Sequence, residues 1–334
     1  MLNLSCHVTP NRYYLYQILF HTSISYNKRM KIKLRIAISA MAVLGCAGAT
    51  SVVLAQGLAV GQTAVQFNVL GLNQFSTGMS GGGSFDWSDA GGRLGVLYQA
   101  TPTLAAGASL GYSHQNWNWS NPAAFGNRAP WGGINTTRLG LSLTYAPTRD
   151  WRFMIAPTVE WAGEDGAGTS NSTLYGGVLS ATKVFSPSFT LGLGAGVFRE
   201  MDQTRAFPFL VINWKINDRL TLKNPLPAGP AGGAGLELEY RADDNWTFGV
   251  GGGWRNYRFR LNNSGPFAGG IGQNRMIPVF ARVSYAFTPK TSLDLYAFAS
   301  FAGNVQAQSA DKLTTLNTGY NTGVGLGLNL SHRF

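Results

Sequence analysis

The last fifteen residues of the chain sort into two sets by position alone. Tyr320, Thr322, Val324, Leu326, Leu328, Leu330, His332 and Phe334 form one set, and Asn321, Gly323, Gly325, Gly327, Asn329, Ser331 and Arg333 form the other. A period of two places the sets on opposite faces of a strand, whereas a helix would mix them. One face is mostly aliphatic and the other small and polar, so this strand faces hydrocarbon on one side and water on the other. The rhythm recurs upstream. Leu139, Leu141, Leu143 and Tyr145 alternate with Arg138, Gly140, Ser142 and Thr144, and Leu191, Leu193, Ala195 and Val197 with Gly192, Gly194 and Gly196. Leu236, Leu238 and Tyr240 alternate with Glu237, Glu239 and Arg241, and Ile277, Val279, Ala281, Val283, Tyr285 and Phe287 with Met276, Pro278, Phe280, Arg282, Ser284 and Ala286.

Turn chemistry divides these runs. Tight turns are expected at Thr101–Thr103, Pro147–Asp150, Ser186–Ser188, Asn217–Arg219, Asp243–Asn245 and Thr288–Lys290, where Pro, Asn, Asp and Ser cluster. Longer loops are expected near 74–90, 118–133, 163–171, 200–206, 225–234, 262–273 and 303–318. Alternate short and long connections around an even strand number predict an all-β, antiparallel, up-and-down transmembrane barrel of about 14 strands, with 12 or 16 as alternatives. The strands near 172–185 and 219–225 carry the weakest pattern, and the Pro/Gly segment 224–235 reads as a loop or a bent strand.

A soluble sandwich also alternates, but its outer face would be rich in charge. Only 12% of residues are charged, against roughly 25% in soluble domains. The mean hydropathy is near zero, too low for a bundle of membrane helices. A sheet in hydrocarbon must close on itself, because its edge groups would find no water.

The first 55 residues differ in kind. They hold six basic residues and no acid, which accounts for six of the eleven net positive charges and leaves +5 for the rest. Lys31, Lys33 and Arg35 precede an apolar stretch that ends at Val53-Leu54-Ala55, the layout of a cleaved secretory signal. The expected organisation is an N-terminal extension at 1–29, a signal peptide at 30–55 and a barrel at 56–334. A retained anchor, or lipidation at Cys46, is the rival reading of this leader. The only cysteines, Cys6 and Cys46, lie before the expected cleavage site, so the barrel has no disulfide or thiolate metal site.

The ending Leu328-Asn329-Leu330-Ser331-His332-Arg333-Phe334 resembles the C-terminal signal of Gram-negative outer-membrane β-barrel proteins. Leu328, Leu330 and Phe334 match that pattern and His332 departs from it. The stretch 207–261 is similar to uncharacterised barrel domains. The resemblance implies a porin-like fold, export to the cell outer membrane, and contact with outer-membrane lipid and the barrel-assembly machinery.

With the aliphatic sets facing lipid, the other sets line the lumen. Basic candidates are Arg93, Arg138, Arg152, Lys215, Lys223, Arg241, Arg255, Arg282 and Arg333, and acidic ones are Glu160, Glu237, Glu239 and Asp294. These charges could brace the wall as ion pairs or favour anions in a passage. Glycines 192, 194 and 196, 249, 251 and 253, and 323, 325 and 327 fall on the same face. Tyr296 and Phe298 are expected to cover the last set, as aromatics shield glycine across strands; the rival is that glycine simply widens the lumen.

Catalytic chemistry is poorly provided for. Beyond the leader the chain has only His114 and His332. A serine hydrolase needs a base beside its nucleophile and an orienting acid; Ser113 or Ser120 with His114 comes without a phospholipase-type motif, and His114 reads as a solvated histidine at a loop edge. Asp86, Asp89, Glu164 and Asp165 read as solvated loop acids that could hold a divalent cation weakly. Gly81–Gly83 and Gly251–Gly253 lack the Lys of a phosphate loop, no cofactor is implied, and +5 spread over strands is no nucleic-acid footprint. The expected function is a non-enzymatic passive diffusion channel for small polar or anionic solutes. A closed structural or surface-interaction barrel is the alternative, and a lipid-modifying enzyme a minor one.

Overall fold

The computed structural model describes residues 58–334, so the expected extension and signal peptide lie outside the described residues. Sixteen strand segments follow one another: β1 (Thr63–Gly78), β2 (Ser84–Thr101), β3 (Leu104–Ser120), β4 (Ile134–Tyr145), β5 (Trp151–Glu164), β6 (Thr173–Ser186), β7 (Phe189–Glu200), β8 (Gln203–Lys215), β9 (Leu220–Lys223), β10 (Gly235–Arg241), β11 (Trp246–Gly253), β12 (Arg255–Arg260), β13 (Ile271–Thr288), β14 (Thr291–Gln308), β15 (Thr315–Tyr320) and β16 (Gly323–Arg333). β12 continues β11, and β16 continues β15. The result is an antiparallel barrel of 14 staves, closed where β16 pairs with both β14 and β1. Phe334 completes that closure by donating its N–H to the Val65 carbonyl at 2.9 Å.

All six expected tight turns are present. Three expected longer loops are short, because the strands on either side run on. β1 and β2 approach to a five-residue link at 79–83, β7 and β8 to two residues, and β14 and β15 to six.

The outside is apolar. Val324, Leu326, Leu328 and Leu330 are 40–55% exposed, and Leu110, Leu139, Leu141, Ile155, Leu179 and Leu193 on other staves are 45–69% exposed. Tyr98, Tyr145, Trp151, Trp214, Trp246 and Phe287 stand exposed beside the tight turns, the position of an interfacial aromatic girdle. Such a surface around a closed sheet is matched to hydrocarbon rather than to water.

Three adjoining staves change phase at one level. Between Gln74 and Thr77, β1 carries one residue more than β2, and between Phe301 and Asn304, β14 carries one more than β13. At the same level the chain breaks between β15 and β16, while Ala302 on β14 takes φ of 49°. A bulge adds a residue to one strand, so faces exchange beyond it. Tyr320 was expected on the lipid side with Val324 and instead points inward, 7% exposed.

Candidate functional site

The interior is organised in tiers. Towards the tight-turn end, Arg282 on β13 is 3% exposed and faces three acids. Its guanidinium bonds Glu237 at 2.6 Å, Glu239 at 2.6 Å and Asp294 at 3.1 Å. Lys223 bonds Glu239 at 2.5 Å, and Asn329 donates to Asp294 at 2.8 Å. The tier thus links β9, β10, β13, β14 and β16. Removing a charge from water is expensive unless it is paired and hydrogen-bonded, and here the acids offset the cations one for one or better.

Above this tier lies a cavity of about 180 Å³, with Asp89, Arg93, Arg138, Glu160, Arg255 and Tyr257 among its lining. Arg138 and Glu160 are paired across β4 and β5. Arg255 stacks over the Tyr257 ring, 4.6 Å from its centroid, and bonds its hydroxyl at 3.0 Å. Asp89, expected on an outer loop, is in β2 and buried; one of its carboxylate oxygens has no hydrogen-bond partner. The segment between β9 and β10 turns into the barrel and contributes Pro227 and Ala228 to the cavity wall. Tyr296 holds this segment through a 3.3 Å bond to the Ala228 carbonyl, and its ring end stands where a side chain at Gly229 would be placed. Phe298, by contrast, covers Gly325, where an added Cβ would run into the ring. Phe207 and Phe209 cover Gly196 and Gly194 in the same manner.

The outer mouth is crossed by the β12–β13 hairpin. Arg260 at the end of β12 pairs in parallel with Gly163 at the end of β5. Along the wall, β6 to β10 lie between these two staves, so the hairpin must leave the wall and span the opening. Both faces of its β13 arm are covered: Ile271, Gly272, Gln273, Asn274 and Met276 are all buried. One face of the hairpin packs on an aromatic cluster in which Trp131 lies edge-on to Phe259 at 5.2 Å and to Trp117 at 5.5 Å, with Phe85, Phe125 and Phe267 around them. The other face is polar. Arg258 pairs with Asp202 of the β7–β8 turn, and Arg260 donates to the Asn171 carbonyl at 2.9 Å. Burial works against the charged Asp202 carboxylate, but Arg258 and Lys312 outweigh it and hold the group below the usual aspartate range.

Two loops fold inward over the cluster, 121–133 carrying Phe125 and Trp131 and 261–270 carrying Phe267. Glu164 ties them together. One carboxylate oxygen accepts from the Gly132 N–H and the other from the Asn262 N–H, both at 2.9 Å.

Crossing of the mouth leaves β8 short of a neighbour. It pairs with β7 from Gln203 to Trp214, yet with β9 only from Asn213 to Lys215. Asn224 replaces the missing strand. Its carboxamide accepts from the Ile212 N–H at 2.9 Å and donates to the Leu210 and Gly235 carbonyls at 3.0 and 3.1 Å. Pro208, which has no N–H to satisfy, sits on this same bare edge.

Of the residues picked as lumen-lining, Glu237, Arg282 and Asp294 are buried, and Arg93, Arg138, Arg152, Glu160, Glu239 and Arg255 are half-buried. Arg241 departs from the expectation: it lies exposed at the tight-turn rim, bonded to the Asp218 carbonyl, because its alternation carries it past the end of the lined interior. At the C-terminal end, where an assembly signal was expected, Leu328 and Leu330 face outward, His332 accepts or donates at Thr291 (2.8 Å), and its ring lies edge-on to Phe334 at 4.5 Å. His114 is engaged at both ring nitrogens by Asn135 and Asn116, 2.9 and 3.2 Å away. The sequence reading missed Asn224 as an edge cap and Arg258 as a mouth contact. The signal for the latter was present, since Arg258 and Arg260 alternate with Tyr257 and Phe259 on one short strand.

No protein-family model matches the chain, and no curated protein does. Solved structures do. An outer membrane channel from Pseudomonas putida F1 is 13% identical, with a TM-score of 0.44 over 83% of this chain and 97% of that one. The P. putida toluene transporter TodX is 10% identical, with a TM-score of 0.44 over 89% of this chain and 94% of that one. The KdgM porin is 8% identical, with a TM-score of 0.34 over 80% of this chain and 99% of that one. These likenesses are remote, so the chemistry of this lumen rests on its own residues.

Proposed function

We propose that this chain is a passive channel of the outer membrane for small polar solutes, with its outer mouth shut by the β12–β13 hairpin. The observation that carries this reading is a cavity with Asp89, Arg93, Arg138, Glu160 and Arg255 in its lining, directly beneath an element that has left the wall to cover it. A barrel needing only to be closed could fill its interior with wall side chains. Here a hairpin held by polar contacts on one face does so, and such contacts exchange readily for water. The pairing of Arg138 and Arg282 with acids supports a polar solute over an anionic one. The apolar exterior and the terminal Leu328, Leu330 and Phe334 support insertion into outer-membrane lipid by the assembly machinery.

Planar-bilayer recording on protein purified from outer membranes tests the reading. Wild type should give brief, small openings. Glu164→Ala frees both inward loops and should raise open probability, while gel mobility of the folded barrel stays unchanged. A folded barrel that is silent in both forms would leave the closed, surface-interaction alternative in its place.

A further inference from the structure

The polar face of the β12–β13 hairpin meets the outer ends of β7 and β8, and the charges gathered there do not balance. Arg258, Arg260 and Arg275 come from the hairpin, Arg205 from β8, and Lys312 from the link between β14 and β15. Two carboxylates answer these five cations. Glu200 lies 3.4 Å from Arg205, and Asp202 is shared by Arg258 and, at 3.4 Å, Lys312. Glu160, within electrostatic reach of Glu200, is already paired with Arg138. Asp311, next to Lys312 in sequence, bonds Ser309 and the Leu313 N–H.

The guanidinium groups crowd one another. Arg205 and Arg258 converge on one neutral acceptor, the Gln203 carboxamide oxygen, which in the orientation that satisfies both takes their N–H groups at 3.0 and 3.1 Å. Arg275 is repelled by both. It donates to the Asn304 carboxamide at 3.2 Å, and among the described residues no carboxylate pairs with it. Arg258 is 9% exposed, and its Nε–H finds no acceptor. Arg205, Arg260 and Arg275 are only half-buried, so the outer water reaches the group.

We propose that these side chains bind a phosphate. Like charges held together and partly out of water are costly until an anion joins them. A neutral solute would cancel none of that charge. A carboxylate presents two oxygens in one plane and suits a single guanidinium fork. The donors here stand on β8 and on both arms of the hairpin. A phosphate, with about two negative charges and three acceptor oxygens pointing different ways, serves several of them at once. Phosphate dissolved in the outer water and phosphate on a lipid headgroup of the outer leaflet share this chemistry. Binding at the outer face needs no passage through the lumen, so it holds or fails apart from the channel reading.

The probe is inorganic phosphate, titrated at constant ionic strength into protein purified from outer membranes and stripped of lipid in an amine-oxide detergent, with heat of binding as the readout. Binding should be saturable, and acetate should bind more weakly. Arg275→Gln should weaken phosphate by about tenfold, as loss of one charge-assisted bond does; it strands no carboxylate. Lys312→Gln should weaken it by a smaller factor. Arg149→Gln, exposed in a tight turn at the opposite rim, should leave binding unchanged. Nanodiscs of phosphatidylcholine with and without diphosphoryl lipid A then assign the source. A Kd for free phosphate that rises with lipid A, but not with its dephosphorylated form, places a lipid phosphate in the site; equal values in all discs assign dissolved phosphate. The proposal is overturned by heats no different from those of added chloride, by acetate binding as tightly as phosphate, or by wild-type affinity in both Arg275→Gln and Lys312→Gln. If Arg275→Gln does not fold, Lys312→Gln against the Arg149→Gln control decides.

Discussion

At the scale of single residues, two aromatics that are neighbours in β14 play different parts. Tyr296 and Phe298 share a face and a chemistry, and both were expected to cover glycines of the last stave. Phe298 does so at Gly325, while Tyr296 reaches across the lumen to Ala228 and Gly229. Phe298 is 5% exposed, so Phe298→Ala should destabilise the barrel by about 3–5 kcal/mol, the usual loss for a buried ring. Gly325→Ala alone should cost about 1–3 kcal/mol through overpacking against that ring and against the Asn73 carbonyl. Combined, the two changes should be less harmful than their sum, since loss of the ring relieves one of these two clashes and leaves the other. Urea unfolding in lipid vesicles measures all three; strict additivity would mean that ring and glycine do not interact. Tyr296→Ala should instead loosen the 224–234 segment while sparing the wall.

At the scale of elements, the β8 edge is the place where the barrel departs from a uniform sheet. Its outer half lies against hydrocarbon without a strand partner, and unpaired backbone groups there have no water to turn to. Asn224 serves two of them, the Ile212 N–H and the Leu210 carbonyl, and ties them to the Gly235 carbonyl of β10, so Asn224→Ala should lower stability by about 1–3 kcal/mol, whereas most side-chain truncations in a turn have little effect. Equal unfolding midpoints for Asn224→Ala and wild type would show that the edge is protected some other way. The staves and tight turns were legible because both signals are local: alternation along Leu139–Tyr145, or Pro and Asp at Pro147–Asp150, needs no knowledge of neighbours. Near 74–90 the same reasoning produced a loop where strands continue. There the hairpin rises above the hydrocarbon, and its outward residues become Asp86 and Ser88 while Phe85 and Trp87 face in. The lipid face on which the reading relied is gone, although the period persists inverted. The crossing of β12 was not legible at all. It depends on β9 and β10 being shorter than the strands around them, a comparison between elements far apart in sequence.

At the scale of the whole molecule, the mouth contact between β12 and β5 decides whether the barrel is a gate or a sealed wall. Arg260 and Gly163 are register partners, and directly paired strand residues lie within the Cα separation that a disulfide accepts. The described residues contain no cysteine, so an engineered pair has no competitor there. A Cβ at Gly163 would sit 2.8 Å from the Ser172 hydroxyl, which argues for Gly163→Cys with Ser172→Ala alongside Arg260→Cys. If the hairpin must swing aside for solute to pass, the oxidised protein should show no openings in a planar bilayer. Reductant should then restore openings in the same membrane. The loss of the Arg260 bond to Asn171 should make the reduced form open more often than wild type, so the locked and unlocked states bracket it from both sides. Openings that persist unchanged after oxidation would place the solute path elsewhere than past the hairpin. The bare β8 edge, where the wall is thinnest in backbone pairing, would then be the next barrier to probe.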